Sequence, residues 1–80
     1  MPGTRLYVGN LSYSVTNEQL QALFSNHGNV KQINIIKDKG FGFVEMMGHL
    51  EAEKAKDALN GFELDGRALR VEEARAPLSR

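Results

Sequence analysis

Eighty residues, with 41% hydrophobic and 25% charged content, suit one small globular domain near the lower size limit for folding unaided. Ten Lys and Arg balance ten Asp and Glu, so the chain lacks the positive excess with which polyanion binders usually advertise themselves. The absence of cysteine excludes a disulfide framework and thiolate chemistry, and no apolar run approaches the roughly 20 residues of a membrane helix.

The opening MPGTRLYVG has no long apolar region and no cleavage signature. The expected setting is therefore cytoplasmic, or nuclear or organellar in a eukaryote. A single domain is expected over residues 1–80, with a core at about 4–75 and a frayed end at 76–80. Arg5 to Gly9 reads as the first strand, apolar at Leu6 and Val8. Thr16 then opens a helix. Its hydroxyl is placed to cap Gln19, Gln19 can cap it in return, and Val15 with Leu20 forms a hydrophobic staple. Leu20, Leu23 and Phe24 make the core stripe, and Gly28 is expected to end the helix in a left-handed conformation.

Val30 to Lys37 is a second strand, and Lys39 to Met46 a third. The short segment around Asp38 should join them as a hairpin. A second helix is expected from Leu50 to Asn60, with Ala55, Ala58 and Leu59 toward the core. Its start is weakly capped, because Gly48 and His49 are poor substitutes for Ser, Thr or Asp. After a turn at Asp65-Gly66, Ala68 to Glu73 alternates as the last strand. The order β-α-β-β-α-β predicts an α+β, ferredoxin-like sandwich: a four-stranded antiparallel sheet with two helices on one face.

Two short helices cover only one side of such a sheet, so the other side faces solvent. In KGFGFVEM, Phe41 and Phe43 share a face with Lys39 and Glu45, while Val44 and Met46 lie on the other. Burying the aromatic face would bury two charges with it, at a cost of several kcal/mol for any that lacked a partner. The glycines on the opposite face are expected to let a helix approach closely. The first strand agrees, with Leu6 and Val8 set against Arg5, Tyr7 and Gly9. So does the last, with Leu69 and Val71 set against Arg70 and Glu72. In the second strand, Ile33 and Ile35 oppose Gln32, Asn34 and Ile36, the last an expected exposed apolar residue. Tyr7, Phe41 and Phe43 are thus left together on an open sheet, as a clustered patch that marks a binding surface.

Here the chain resembles the RNA-recognition motif family, in the form of its small single-domain bacterial-type members. Leu6-Tyr7-Val8-Gly9-Asn10-Leu11 is similar to the family's hexamer, and Lys39 to Met46 to its octamer, over a resemblance running from about Thr4 to Ala74. The resemblance implies single-stranded RNA binding, with a role in post-transcriptional regulation. Tyr7 and Phe43 would each stack one base, Phe41 would pack on the sugars between them, and Lys39 would meet a phosphate. Asn34, Glu45, Arg70 and Glu72 would read base edges, Arg5 would belong to the same RNA-binding face, and Arg75 beyond the last strand would add a contact. The implied partner is single-stranded RNA or single-stranded DNA, bound by a monomer with no cofactor, no metal and no membrane.

Three departures limit what the resemblance carries over, and the last two lower the expected affinity. Met46 replaces the octamer's last aromatic, at a core-facing position. The loop between the second and third strands is short, which reduces reach. Net charge is zero, with Glu45, Glu72 and Glu73 expected near the platform. Neutralising about two or three phosphates gives a salt slope of about −1.4 to −2.1 and roughly micromolar or poorer binding.

An enzyme reading finds little support. His27 beside Gly28 suits a helix terminus, His49 lies at a helix edge, and the two have no metal-ligand spacing. No GxxxxGK phosphate loop is present. The alternative of another class is a protein-interaction module that uses the same open sheet or the outer helix surface. The charged helix residues Glu51, Glu53, Lys54, Lys56 and Asp57 are read as a solvated face.

Overall fold

Alternation along each strand sets the architecture seen in a computed structural model, which describes residues 4–74. Strand β1 (Arg5–Gly9) leads to helix α1 (Asn17–Ser25), then β2 (Val30–Ile36) and β3 (Phe41–Met46). Helix α2 (His49–Leu59) follows, then two short strands, β4 (Glu63–Leu64) and β5 (Arg67–Ala68), and finally β6 (Arg70–Glu73). The main sheet runs β2-β3-β1-β6, antiparallel throughout. This is the ferredoxin-like arrangement, elaborated by one small hairpin.

Leu6, Val8, Val44, Met46 and Val71 supply the sheet's share of a single buried cluster, and Leu20, Phe24, Ala52, Ala55 and Leu59 supply that of the helices. Ile33 and Ile35 pack against it, half-buried. Among the described residues no polar or charged side chain is buried. Met46 fills its core position as a flexible apolar group should.

Helix α1 starts where its capping chemistry predicts. The amide of Gln19 donates to Thr16 Oγ1 at 3.1 Å, and the amide of Thr16 donates to Gln19 Oε1 at 3.0 Å. Val15 and Leu20 are both buried, as the staple requires. The helix end differs from expectation. Asn26 is the C-cap in an ordinary right-handed conformation, and Gly28 lies beyond it with φ +157°, far from left-handed helical values. Gly28 instead makes room for α2, because a Cβ there would lie 2.6 Å from Glu51 Cβ.

Helix α2 begins at Gly48 with no side-chain cap. Its buried stripe is Ala52, Ala55 and Leu59, while Ala58 is exposed, contrary to the sequence reading. The i, i+3, i+7 spacing turns Ala58 about 100° away from Leu59 and off the stripe. Glu51, read as part of a solvated face, accepts the Asn29 amide at 3.1 Å.

The stretch after α2 is more structured than a simple turn. Asp65 (φ 53°) and Gly66 (φ 83°) both take positive φ, as a two-residue hairpin turn demands. Strands β4 and β5 pair on either side of it, and the last sheet strand starts at Arg70 rather than Ala68. Leu69 and Val71 are buried as expected. The edge strand β6 is partly shielded, since the Val71 amide donates to Asn60 Oδ1 at 3.0 Å.

Candidate nucleic-acid interface

Three aromatic rings meet on the sheet face away from the helices. Tyr7 stands opposite Phe43 in the β1/β3 pairing, and Phe41 lies two positions before Phe43 on the same strand. The ring centroids are 5.5 Å apart for Tyr7–Phe41, 6.1 Å for Tyr7–Phe43 and 5.8 Å for Phe41–Phe43, in tilted and edge-on geometries. Such spacings are those of favourable aromatic pairs. The rings are half-buried rather than fully exposed, because each shields the next.

Two glycines make this arrangement possible, each for its own reason. A Cβ on Gly9 would lie 2.5 Å from the Tyr7 hydroxyl oxygen, so the Tyr7 ring lies across Gly9. A Cβ on Gly42 would lie 2.7 Å from the Asn34 carbonyl oxygen and 2.9 Å from Ile35 Cα. Gly42 therefore admits the backbone of the neighbouring strand, whereas the sequence reading assigned the space beside it to a helix.

The strand register arranges the polar candidates around the rings. Asn34 pairs with Phe43, and Glu72 pairs with Tyr7, so one row crosses the sheet as Asn34, Phe43, Tyr7 and Glu72. The next row holds Gln32, Glu45 and Arg5. The Arg5 guanidinium carbon lies 4.9 Å from the Phe43 ring centroid, a cation–π contact, and Thr4 Oγ1 donates to Glu45 Oε2 at 3.4 Å. Arg70 is paired with Gly9 along the edge and bridges to Glu72 at 3.3 Å, with both side chains well exposed.

Several expected positions change. Lys39 is exposed but lies in a 3-10 turn, Lys37–Lys39, and the strand starts only at Phe41. Gly40, with φ +74°, makes the transition, and its amide returns to the Ile36 carbonyl at 3.2 Å. Ile36 is half-buried opposite Phe41 and adds no exposed apolar patch. Glu73 pairs with Leu6 and lines a helix-side pocket with His49 and Lys56, so it is not part of the platform. Arg75 lies outside the described residues. The backbone amide of His27 bonds the Phe24 carbonyl at 3.0 Å, and His49 is the first residue of α2.

Sequence reasoning did not single out Tyr13 or Arg67, which the fold brings to one end of the platform. Both line a groove of about 330 Å³ together with Tyr7, Asn10 and Lys39. The signal for Tyr13 was slight: one aromatic between two serines, in a loop without periodicity.

A family description, "RNA recognition motif", matches residues 6–70. The chain is 45% identical over 82 residues to the 29 kDa ribonucleoprotein B, chloroplastic, of Nicotiana sylvestris, an alignment covering 95% of this chain and 28% of that protein. It is 46% identical over 76 residues to the putative RNA-binding protein RbpB of Nostoc sp., covering 88% and 74% respectively. Among solved structures, the crystal structure of RNA binding protein PG1 superposes with a TM-score of 0.86 at 38% identity, covering 95% of this chain and 99% of that one. The chain spans less than a third of the length of the tobacco chloroplast protein. With the hexamer on β1, the octamer entering β3 and the sheet order β2-β3-β1-β6 all in place, the chain belongs to the RNA recognition motif family.

Proposed function

We propose that this chain binds single-stranded RNA on the open face of its sheet, with one base stacked on Tyr7 and another on Phe43. Phe41 packs against the sugars between them, and Lys39 meets a phosphate. The observation that carries this reading is the cluster of Tyr7, Phe41 and Phe43 within 5.5–6.1 Å of one another on the uncovered side of the sheet. A flat ring suits any base, at about 1–3 kcal/mol per stack. Rings already fixed on strands lose little further freedom when a base arrives. Family membership and relatives named as ribonucleoproteins and RNA-binding proteins support the same ligand class.

On this reading Asn34, Glu45, Glu72 and Arg70 meet base edges, and Arg5, which lies over the Phe43 ring, is a neighbouring RNA contact. The carboxylates of Glu45 and Glu72 accept hydrogen bonds from base amino groups but repel phosphates, and Glu72 already engages Arg70. Affinity is therefore modest, roughly micromolar or poorer, with a salt slope of about −1.4 to −2.1 for two or three neutralised phosphates. Selectivity is loose, because stacking tolerates every base. The module acts as a monomer and as a binder, not a catalyst. Chloroplast and cyanobacterial relatives support an organelle or a bacterial cytoplasm as its setting.

NMR titration with short random-sequence single-stranded RNA tests this reading. Shifts centred on Tyr7, Phe41 and Phe43 are expected, with the helices quiet. No shifts at high RNA concentration would refute it, and shifts confined to α1 and α2 would refute the sheet as the RNA-binding face. A parallel titration with single-stranded DNA of the same length reads out the contribution of the 2′-hydroxyl.

A further inference from the structure

Beyond the platform, the loop joining β1 to α1 is clamped from two sides. On one side the Leu11 amide donates to the Gly40 carbonyl at 2.8 Å, tying the loop to the β2–β3 turn. On the other, Asn10 Nδ2 donates to the Ala68 carbonyl at 2.7 Å, and Ser14 Oγ donates to Asp65 Oδ2 at 2.8 Å. Asn10 adopts φ 60°, a left-handed conformation that asparagine tolerates better than most residues. The loop is therefore held in one shape, by the β2–β3 turn on one side and the β4–β5 hairpin on the other.

That clamp presents two side chains with no part in the core. Tyr13 is 78% exposed, the most exposed of the large hydrophobic residues described. Arg67 Nη1 donates to Asn10 Oδ1 at 3.0 Å, which uses one of the guanidinium's five donors and fixes the charge beside the loop. Both line the 330 Å³ groove that Tyr7, Lys39 and Asp38 also line. Two cations against one carboxylate give this groove a positive balance that the chain as a whole lacks. Its volume falls at the lower end of the roughly 300–1,000 Å³ typical of small-molecule sites.

We propose that this groove holds one further nucleotide of the same RNA strand, its base against Tyr13 and its phosphate between Arg67 and Lys39. The inference rests on the sheet being the RNA platform, since Tyr7 belongs to both surfaces and the strand passes from one to the other over it. An exposed aromatic on the clamped loop, a guanidinium fixed beside it on β5 and a second cation on the β2–β3 turn are groups that suit a nucleotide. The pre-shaping lowers the ordering cost of binding. The hairpin acquires a purpose on this view, because it positions Arg67 and locks Asn10.

The test is a length series of random-sequence single-stranded RNA. A trimer, followed by NMR shifts, occupies the sheet alone; an octamer, followed by fluorescence anisotropy, reaches the groove as well. Tyr13→Ala and Arg67→Gln are each expected to lower octamer affinity at least about fivefold and to leave trimer affinity unchanged. Arg67→Gln should also reduce the salt slope by about 0.7. Tyr13→Phe keeps the ring and is expected to bind like the parent, and thermal melts of all variants show whether the fold is retained. Octamer affinity unchanged in both variants, or trimer and octamer weakened equally, overturns the inference. Failure of the platform reading would look different: Tyr7→Ala and Phe43→Ala would then leave the trimer unaffected, whatever Tyr13 does.

Discussion

The Arg5 guanidinium lies over the ring of Phe43, 4.9 Å from its centroid, so a cation already covers one of the two rings proposed to stack a base. An exposed cation–π contact is worth about 0.5–1 kcal/mol, and a stacked base about 1–3 kcal/mol. On the proposed reading a base would win that competition, and Arg5, once displaced, could turn to a phosphate. Arg5→Ala is therefore expected to flatten the salt dependence of RNA binding by about 0.7 in slope. Affinity at moderate salt should fall less than about tenfold, since the freed ring offsets part of the lost charge. Anisotropy titrations across a salt series measure both, and an unchanged slope would exclude a phosphate contact by Arg5.

Tyr7→Ala and Phe43→Ala should separate binding from folding, though not completely. Each loses one stacking surface, for an expected drop in RNA affinity of about 5- to 150-fold. Because the three rings shield one another, each truncation also removes aromatic pairs worth about 0.5–1.5 kcal/mol apiece. A fall of several degrees in Tm is the expected companion, since about 1 kcal/mol shifts a domain of this size by roughly 4–8 °C. Outright loss of the folded state in circular dichroism would mean that the rings belong to the core.

Gly9→Ala probes the placement of Tyr7 without touching its chemistry. The new methyl would displace the hydroxyl end of the Tyr7 ring, which is free to swing aside, while the strand itself remains compatible. RNA affinity should fall toward that of Tyr7→Ala, with a smaller change in melting temperature. Parent-like affinity in the same titration would show that the ring's position over Gly9 is not used in binding.

Thr16→Ala is the converse experiment, a change to the fold alone. It removes the hydroxyl that caps Gln19 and should cost about 0.5–2 kcal/mol. Urea denaturation should show a lower midpoint with an unchanged m-value. RNA affinity should remain that of the parent, because α1 packs on the other side of the sheet.

How much of this was legible in the sequence follows from the range over which each feature is determined. Strand β1, the Thr16–Gln19 capping box and the division of Leu6, Val8, Val44 and Val71 from Tyr7, Phe41 and Phe43 depend on spacing within a few residues, and all were readable. The β4–β5 hairpin was seen only as a turn, because strands of two residues are too short to show alternation. The role of Gly42 depends on how closely the β2 backbone approaches, which no local pattern encodes. Lys39 was drawn into the strand by the octamer motif, whereas the positive φ of Gly40 starts a new element after it. Tyr13 and Arg67 are distant in sequence and line one groove where Asn10, Ser14 and Asp65 tie loop and hairpin together.

The separation of the sheet's two faces also bears on how such a domain changes over evolutionary time. Since none of the described polar or charged side chains is buried, replacing Asn34, Glu45 or Glu72 disturbs no packing in the apolar layer beneath. Surface substitutions of this kind usually stay within about 0.5 kcal/mol of neutral for stability. Ligand preference can then drift one outward-facing residue at a time, on a scaffold that does not have to be rebuilt with each step.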